Sequence, residues 1–226
     1  MKVAIALLCV NMIVSTSLAG VVYTNGDPLA DPGTHYSKSD TVSSSQFVAD
    51  NFRLSSPTTV NSIRWWGAWN FFSPAVDDFT ITIYENLNGL PNPSNIVAIR
   101  QTGNVSETST GLTRSGFTLF SFQANVGAIS LSNGRDYWIS IVETLGTNTS
   151  QYFLWRENAN GSSATSTNNG ASWASRPREY AFQLEGFTNA VPEPSTTTLL
   201  VIASGMCIIR RRRRGYGNDS GTVPHS

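Results

Sequence analysis

Charged residues, cysteines and histidines are all scarce in this 226-residue chain. Charged side chains make up 13% of the sequence, about half the usual quarter. Between residues 20 and 190, one Lys and eight Arg stand against thirteen acidic residues, a net charge of −4. Because a mildly acidic surface does not attract a phosphate backbone, we expect no nucleic-acid partner.

Cysteine and histidine chemistry is largely excluded from the segment 20–189, hereafter the body. Cys9 and Cys207 both lie in apolar end segments, so the body holds no disulfide, cysteine zinc cluster or thiol nucleophile. Its single histidine, His35, lies in a Gly/Pro/Asp-rich loop without a Gly-x-Ser-x-Gly elbow nearby. Metal sites with two or three histidines are therefore excluded, and we expect the body not to be an enzyme.

The first nineteen residues have the pattern of a secretory signal peptide. Lys2 supplies the positive start, residues 3–14 are mostly apolar, and Ser17-Leu18-Ala19 places small residues at the two positions that signal peptidase requires. We therefore expect export of the chain and cleavage after Ala19.

The C-terminal region combines a proline motif, an apolar run and a block of positive charge. Val191-Pro-Glu-Pro-Ser195 is expected to be extended, because proline restricts both itself and the residue before it. The run 196–209 spans about 21 Å as a helix, less than the roughly 30 Å hydrocarbon core, so it predicts a short transmembrane helix. The arginines that follow predict a stop-transfer signal with the body outside: Arg210, Arg211, Arg212, Arg213 and Arg214.

This order of motif, apolar helix and arginine cluster over residues 191–214 resembles the PEP-CTERM sorting signal of bacterial surface proteins. The resemblance implies that Pro192, Glu193 and Pro194 are recognised by exosortase, a membrane transpeptidase that cuts near them. It also implies a transient anchor in the inner membrane, followed by release to the cell surface or extracellular matrix. The family's signal usually ends at the arginines, whereas twelve residues follow here.

The body has the alternation of an all-β domain. Asp78–Tyr84 and Asp136–Val142 alternate apolar and polar side chains with many β-branched and aromatic residues, and similar runs occur near 46–54, 58–66, 95–101, 117–124, 151–157 and 179–187. Asn-Gly and Pro signals separate several of these runs. We predict eight to ten strands in an antiparallel two-sheet sandwich, jelly-roll-like.

Six tryptophans are many for this length, and three of them crowd into residues 63–69. An exposed indole can stack on the apolar face of a sugar, whereas a buried one packs the core. Trp65 and Trp66 must point to opposite faces of a strand, and Trp69 is expected in a loop after Gly67. Trp69, and whichever of Trp65 and Trp66 faces outward, are therefore candidates for polysaccharide binding.

Carboxylate side chains are the remaining candidates for catalysis or metal binding. Two of them facing across a cleft would make a secreted carbohydrate-active enzyme, the alternative function; the candidates are Asp77, Asp78, Glu85, Glu143, Glu157 and Glu179. Asp77 and Asp78 precede a strand, where they predict a turn cap or, as the second interpretation, a structural calcium site. No other cofactor or metal is expected.

Together these patterns predict a signal peptide (1–19), an extracellular β-sandwich (20–189), a sorting signal (190–214) and a cytoplasmic tail (215–226). We expect an exported surface or biofilm-matrix protein that signal peptidase and exosortase process. Its body is expected to be a non-catalytic module for interaction, with extracellular polysaccharide as its partner.

Overall fold

The computed structural model describes residues 19–25, 36–41, 46–71, 76–144, 152–158 and 161–188. The chain divides into two compact units, Met1–Asn189 and Ala190–Ser226, and all described ranges belong to the first. Within these ranges no helix is long and apolar enough to cross a membrane.

Every regular element in the described ranges is a β-strand. The thirteen strands are β1 (Gly20–Asn25), β2 (Tyr36–Lys38), β3 (Phe47–Arg53), β4 (Thr58–Trp69), β5 (Phe79–Leu87), β6 (Leu90–Gln101), β7 (Glu107–Arg114), β8 (Phe117–Leu131), β9 (Asp136–Glu143), β10 (Phe153–Arg156), β11 (Ser163–Ser166), β12 (Ala174–Arg176) and β13 (Phe182–Thr188).

The strands form two antiparallel sheets. The seven-stranded sheet has the order β1-β13-β4-β10-β2, and its long strand β4 also pairs with β8, which pairs with β7. The six-stranded sheet has the order β12-β11-β3-β9-β5-β6. The predicted all-β class and the two antiparallel sheets are confirmed. The jelly-roll-like connectivity stays a prediction, and the predicted C-terminal helix lies outside the described residues.

Aromatic side chains from both sheets meet in one core. Phe79 of the six-stranded sheet lies with its ring centroid 4.9 Å from that of Phe153 and 5.1 Å from that of Trp65, both of the seven-stranded sheet. Trp65 also stacks on Phe122 at 5.6 Å. Such offset and edge-to-face pairs add to the free energy of burying their area. The two sheets are therefore held face to face by interlocked rings, as in a β-sandwich.

The predicted turns coincide with hairpin geometry. Asn88 and Gly89, which join β5 to β6, have φ of 54° and 83°, and Asn169 and Gly170 have φ of 57° and 78°. These values suit Asn and Gly, the residues that best tolerate left-handed backbone. Pro91 does not lie in the turn, because β6 already begins at Leu90. A proline is tolerated there because β6 is an edge strand.

A buried carboxylate in the middle of β3 joins the two sheets. Asp50 is 0% exposed, and its Oδ2 accepts hydrogen bonds from Asn25 Nδ2 and from the backbone N–H of Tyr180, both at 2.6 Å. Its Oδ1 accepts from the Asn51 N–H at 2.9 Å. Burial raises the pKa of Asp50 well above its ordinary 3.8, and the charge of Glu179 acts in the same direction. Asp50 therefore takes up its proton at a higher pH in the folded protein than in the unfolded chain.

This shift predicts the pH dependence of a variant. Because the pKa of Asp50 is raised by folding, its contribution to stability is complete below 3.8 and is lost as the pH rises through the folded value. Asp50→Asn keeps an oxygen for Asn25 and Tyr180 but cannot ionise. We expect the free energy of unfolding of the wild type to fall relative to that of Asp50→Asn between pH 4 and pH 8, in thermal or urea unfolding. A difference that stays constant over this range would contradict the assignment.

Candidate functional site

A polar groove of about 640 Å³ lies on the seven-stranded sheet, where β4, β8 and the start of β7 come together. Its wall residues are Asn61, Ser62, Arg64, Ser106, Thr108, Ser121, Phe122, Gln123 and Asn125. Eight of these nine carry amide, hydroxyl or guanidinium groups. Since Ile63, Trp65 and Phe122 belong to the core, the alternating polar side chains of β4 and β8 face outward.

A β-bulge shapes the floor of this groove. Asn61 has no partner in either ladder of β4. On the β13 side, Val60 and Ser62 pair with the consecutive residues Gly186 and Glu185. On the β8 side the register shifts at the same point and skips three residues of β8. A bulge bends its strand and redirects the side chain. The Oδ1 atom of Asn61 is buried and accepts no hydrogen bond from the described residues. A buried acceptor without a donor is rare in folded proteins, and it lies here in a side chain that lines the groove.

Next to Asn61, a row of polar side chains crosses three strands. Arg64 Nη2 donates to Gln123 Oε1 at 2.9 Å. The Gln123 amide nitrogen donates to Ser62 Oγ at 3.1 Å and to Glu185 Oε2 at 2.7 Å. Arg64 Nε lies 3.6 Å from Glu185 Oε1, so the single positive charge of the groove is neutralised beside it. These contacts hold planar donors and acceptors in place before any ligand arrives.

A second cavity lies where β4 ends, beside the β7–β8 hairpin. It encloses about 290 Å³, and its walls are Trp69, Asn70, Phe71, Gly116, Phe117, Thr118 and Phe120. The hairpin turn at its rim has φ of 50° at Ser115 and 83° at Gly116, as in a two-residue turn of type I′. A Cβ on Gly116 would meet nothing within 4 Å, so the space above this turn is open. We call this cavity the aromatic pocket.

The structure corrects two expectations about the tryptophans. Trp69 is the last residue of β4 and not a loop residue, and it is 5% exposed. Trp65 and Trp66 do face opposite sides of the sheet, but neither is exposed: Trp65 is in the core and Trp66 packs against Leu119 and Ala181. The indole of Trp66 points outward, but these two apolar side chains cover it. None of the three is an exposed stacking platform, although Trp69 is one of the residues that line the aromatic pocket.

The two aspartates before β5 act as turn caps. Asp77 Oδ1 accepts the backbone N–H of Val105 at 2.7 Å, and Asp78 Oδ1 accepts that of Gly103 at 2.8 Å. Both contacts fasten the segment after β6 to the start of β5. Burial raises the pKa of Asp77. In the part of the chain that the structure describes, no three His, Cys, Asp or Glu side chains are grouped to hold a metal ion.

The carboxylates of the enzymatic alternative lie elsewhere. None of the six lines the groove or the aromatic pocket of the described body. Glu157 is buried and lies 3.3 Å from Arg178 Nε and 3.8 Å from Arg176 Nη2, an ion-paired cluster. Glu85 accepts from Asn95 and lies beside Arg135. These contacts give the two glutamates structural partners.

The remaining expected sites lie outside the described residues. These are residues 1–18 of the signal peptide, His35, the sorting motif Pro192, Glu193 and Pro194, and the stop-transfer residues Arg210, Arg211, Arg212, Arg213 and Arg214.

Comparisons with known proteins give one partial match. Residues 24–98 match the sequence profile of a domain of unknown function (DUF7901), about a third of the chain. The matched segment includes the β4 side of the groove with Asn61 and its bulge, whereas Gln123 lies beyond it. Searches of curated proteins and of solved structures gave no match.

Reasoning from the sequence missed the groove because it followed the aromatic residues of each strand. The relevant signal was the polar half of the same alternation. Ser62 and Arg64 alternate with Ile63 and Trp65 on β4, and Ser121, Gln123 and Asn125 do the same on β8. A polar side chain on a sheet usually faces water, so only the pairing of β4 with β8 brings these residues together.

The hydrogen bonds accepted by Asp77 and Asp78 predict that calcium does not change the stability of the protein. Since the Oδ1 atoms of Asp77 and Asp78 each accept an amide hydrogen, we expect neither 1 mM calcium, on the order of the weakest extracellular sites, nor excess EDTA to shift the melting temperature. Asp77→Ala should lower it, because the Val105 N–H loses its acceptor. A calcium-dependent rise that is absent in Asp77→Ala would show that the second interpretation, a calcium site, was correct.

Proposed function

We propose that this protein is an exported bacterial surface or matrix protein whose body is a non-catalytic polysaccharide-binding module. The observation that carries the binding role is the groove of the seven-stranded sheet with its row of hydrogen-bonded polar side chains, in which Gln123 is exposed. A shaped cavity with convergent polar groups is the usual form of a binding site. The jelly-roll-like connectivity belongs to this proposal as well.

The chemistry of the groove supports a neutral glycan. A sugar hydroxyl both donates and accepts hydrogen bonds, and amide and hydroxyl side chains offer both functions at fixed positions. The groove places such groups on neighbouring strands, as in Ser62, Gln123 and Asn125. Its only charged wall residue, Arg64, is paired with Glu185. A strongly anionic polymer would have to compete with this glutamate, so an uncharged chain is the better partner.

The sorting part of the proposal rests on the two ends of the sequence. A signal peptide over residues 1–19 exports the chain, and a short transmembrane helix with five arginines holds it in the membrane until exosortase acts at Pro192–Pro194. The body of described strands supports this role by what it contains: neutral polar surface residues, a self-sufficient core and no dependence on cysteine.

Removing one groove side chain tests the binding role. Gln123 is exposed and links Arg64, Ser62 and Glu185, so Gln123→Ala should fold normally and lose the ordered donor row. With full-length protein in a sugar-free detergent, we expect retention on an immobilised neutral polysaccharide panel to weaken about tenfold, the effect of losing one or two hydrogen bonds.

The matched control is Gln101→Ala, an exposed glutamine at the end of β6, which should bind as the wild type does. Retention of the wild type on no polysaccharide, or equal retention of Gln123→Ala and the wild type, would reject the groove as a glycan site.

Sorting is tested by a change in the motif. Pro192→Ala combined with Glu193→Ala should leave an uncut precursor in the membrane fraction of a host that contains exosortase, because the recognised residues are gone. The change is read by gel mobility and cell fractionation. Pro224→Ala, a proline change in the tail behind the arginines, is the control and should be processed normally. Release of the double variant at the wild-type rate would mean that the motif is not the signal.

A further inference from the structure

The aromatic pocket has an exposed ring on its rim. Phe71 is 68% exposed, more than any other large hydrophobic residue in the described part of the chain. An isolated exposed apolar side chain needs no explanation. Phe71, however, borders a cavity whose other walls include the half-buried rings of Phe117 and Phe120. Several rings around one opening indicate a surface made for a ligand with an apolar face.

The inner wall of this pocket is rigid. The indole N–H of Trp69 donates to Glu107 Oε2 at 2.8 Å, and its ring packs at 5.5 Å, edge to face, against Phe153. Phe117 is held in turn by Tyr36, whose ring centroid is 5.8 Å away. Because Trp69 and Phe117 are fixed by their own neighbours, a ligand would not have to order these two walls, and binding would cost less conformational entropy.

Two polar side chains interrupt the aromatic walls. Thr118 is exposed and lines the pocket, as does Asn70, whose Oδ1 accepts the Tyr152 N–H at 2.7 Å. The wall residues carry no charge, so an ion gains nothing there. The volume of about 290 Å³ is at the lower limit of ligand pockets and accepts about one ring. A hexose ring combines these properties: it is neutral, with an apolar C–H face and a hydroxyl edge.

We therefore propose that the aromatic pocket binds a single neutral sugar ring, with Phe71 and Phe120 against the apolar face and Thr118 at the hydroxyl edge. This inference rests on the proposed glycan-binding function and adds a second, separate subsite to it. Trp69 lies five residues along β4 from Arg64 of the groove, which is about 17 Å in a strand. It points to the opposite face of the sheet, since Trp69 shares the inner face with Trp65.

The pocket and the last described residue of β13 lie at opposite ends of β4. β13 ends at Thr188, which pairs with Thr58 at the start of β4. The pocket lies at the other end of β4, next to Trp69 and Asn70. It is therefore remote from the C-terminal end of β13.

The test uses methyl glycosides of glucose, galactose and mannose as probes. Saturation-transfer NMR with the full-length protein in a sugar-free detergent should detect binding of at least one of them. Phe71→Ala should weaken that binding about tenfold by removing one stacking wall. Leu87→Ala removes an apolar side chain of similar exposure, 52%, away from the pocket, and should leave the affinity unchanged.

A second variant separates a sugar from a purely apolar ligand. Thr118→Val keeps the shape of the side chain but removes its hydroxyl, so it should weaken glycoside binding and leave the binding of benzyl alcohol intact. Benzyl alcohol that binds where no glycoside does would overturn the proposal.

The failures of the two proposals are distinguishable. If no glycoside binds but polysaccharide retention persists and depends on Gln123, the pocket proposal is wrong and the groove proposal stands. If neither polysaccharide nor glycoside binds, both are wrong. Equal glycoside affinity in Phe71→Ala and the wild type also rejects the pocket.

Discussion

The contact between Phe79 and the aromatic rings of the opposite sheet is the constraint on which the rest of the structure depends. Its ring lies within 4.9–5.5 Å, centroid to centroid, of Phe153, Trp65 and Phe122. A body without disulfides must be stabilised by burial, and aromatic residues bury the most area for each position in a strand. Trp65 and Trp69 are therefore part of this core. Trp66, on the other face of β4, is covered by Leu119 and Ala181.

The chemistry of the outer face follows from this packing. When Trp65 and Phe122 face inward, strand geometry directs Arg64 and Gln123 outward on neighbouring strands. The bulge at Asn61 then interrupts the ladder and leaves an amide oxygen without a partner in the described body. The groove and the core are thus formed by opposite faces of the same strands. The side chains of the groove project from β4, β8 and the start of β7, so a ligand would meet a surface that is already ordered.

Much of the fold could be predicted from the sequence, and the site could not. The alternation in residues 79–84 and 136–142 and the Asn-Gly turns correspond to observed strands and hairpins. Strands β7, β11 and β12 were missed because their side chains are mostly small or polar and show no apolar alternation. Three features depend on contacts between distant segments, which periodicity does not encode. They are the burial of Trp66, the bulge at Asn61 and the hydrogen bonds accepted by Asp50.

The central claim is that the tryptophan side chains are buried and therefore do not form the ligand-binding surface. Quenching of tryptophan fluorescence by acrylamide tests this claim most directly. All six tryptophans are described, and five are at most 6% exposed, with Trp173 half-buried. The account predicts a quenching constant for the native protein far below that of the same protein in urea, with no more than one accessible indole. A native constant close to the value in urea would contradict it, because the tryptophans would then lie at the surface.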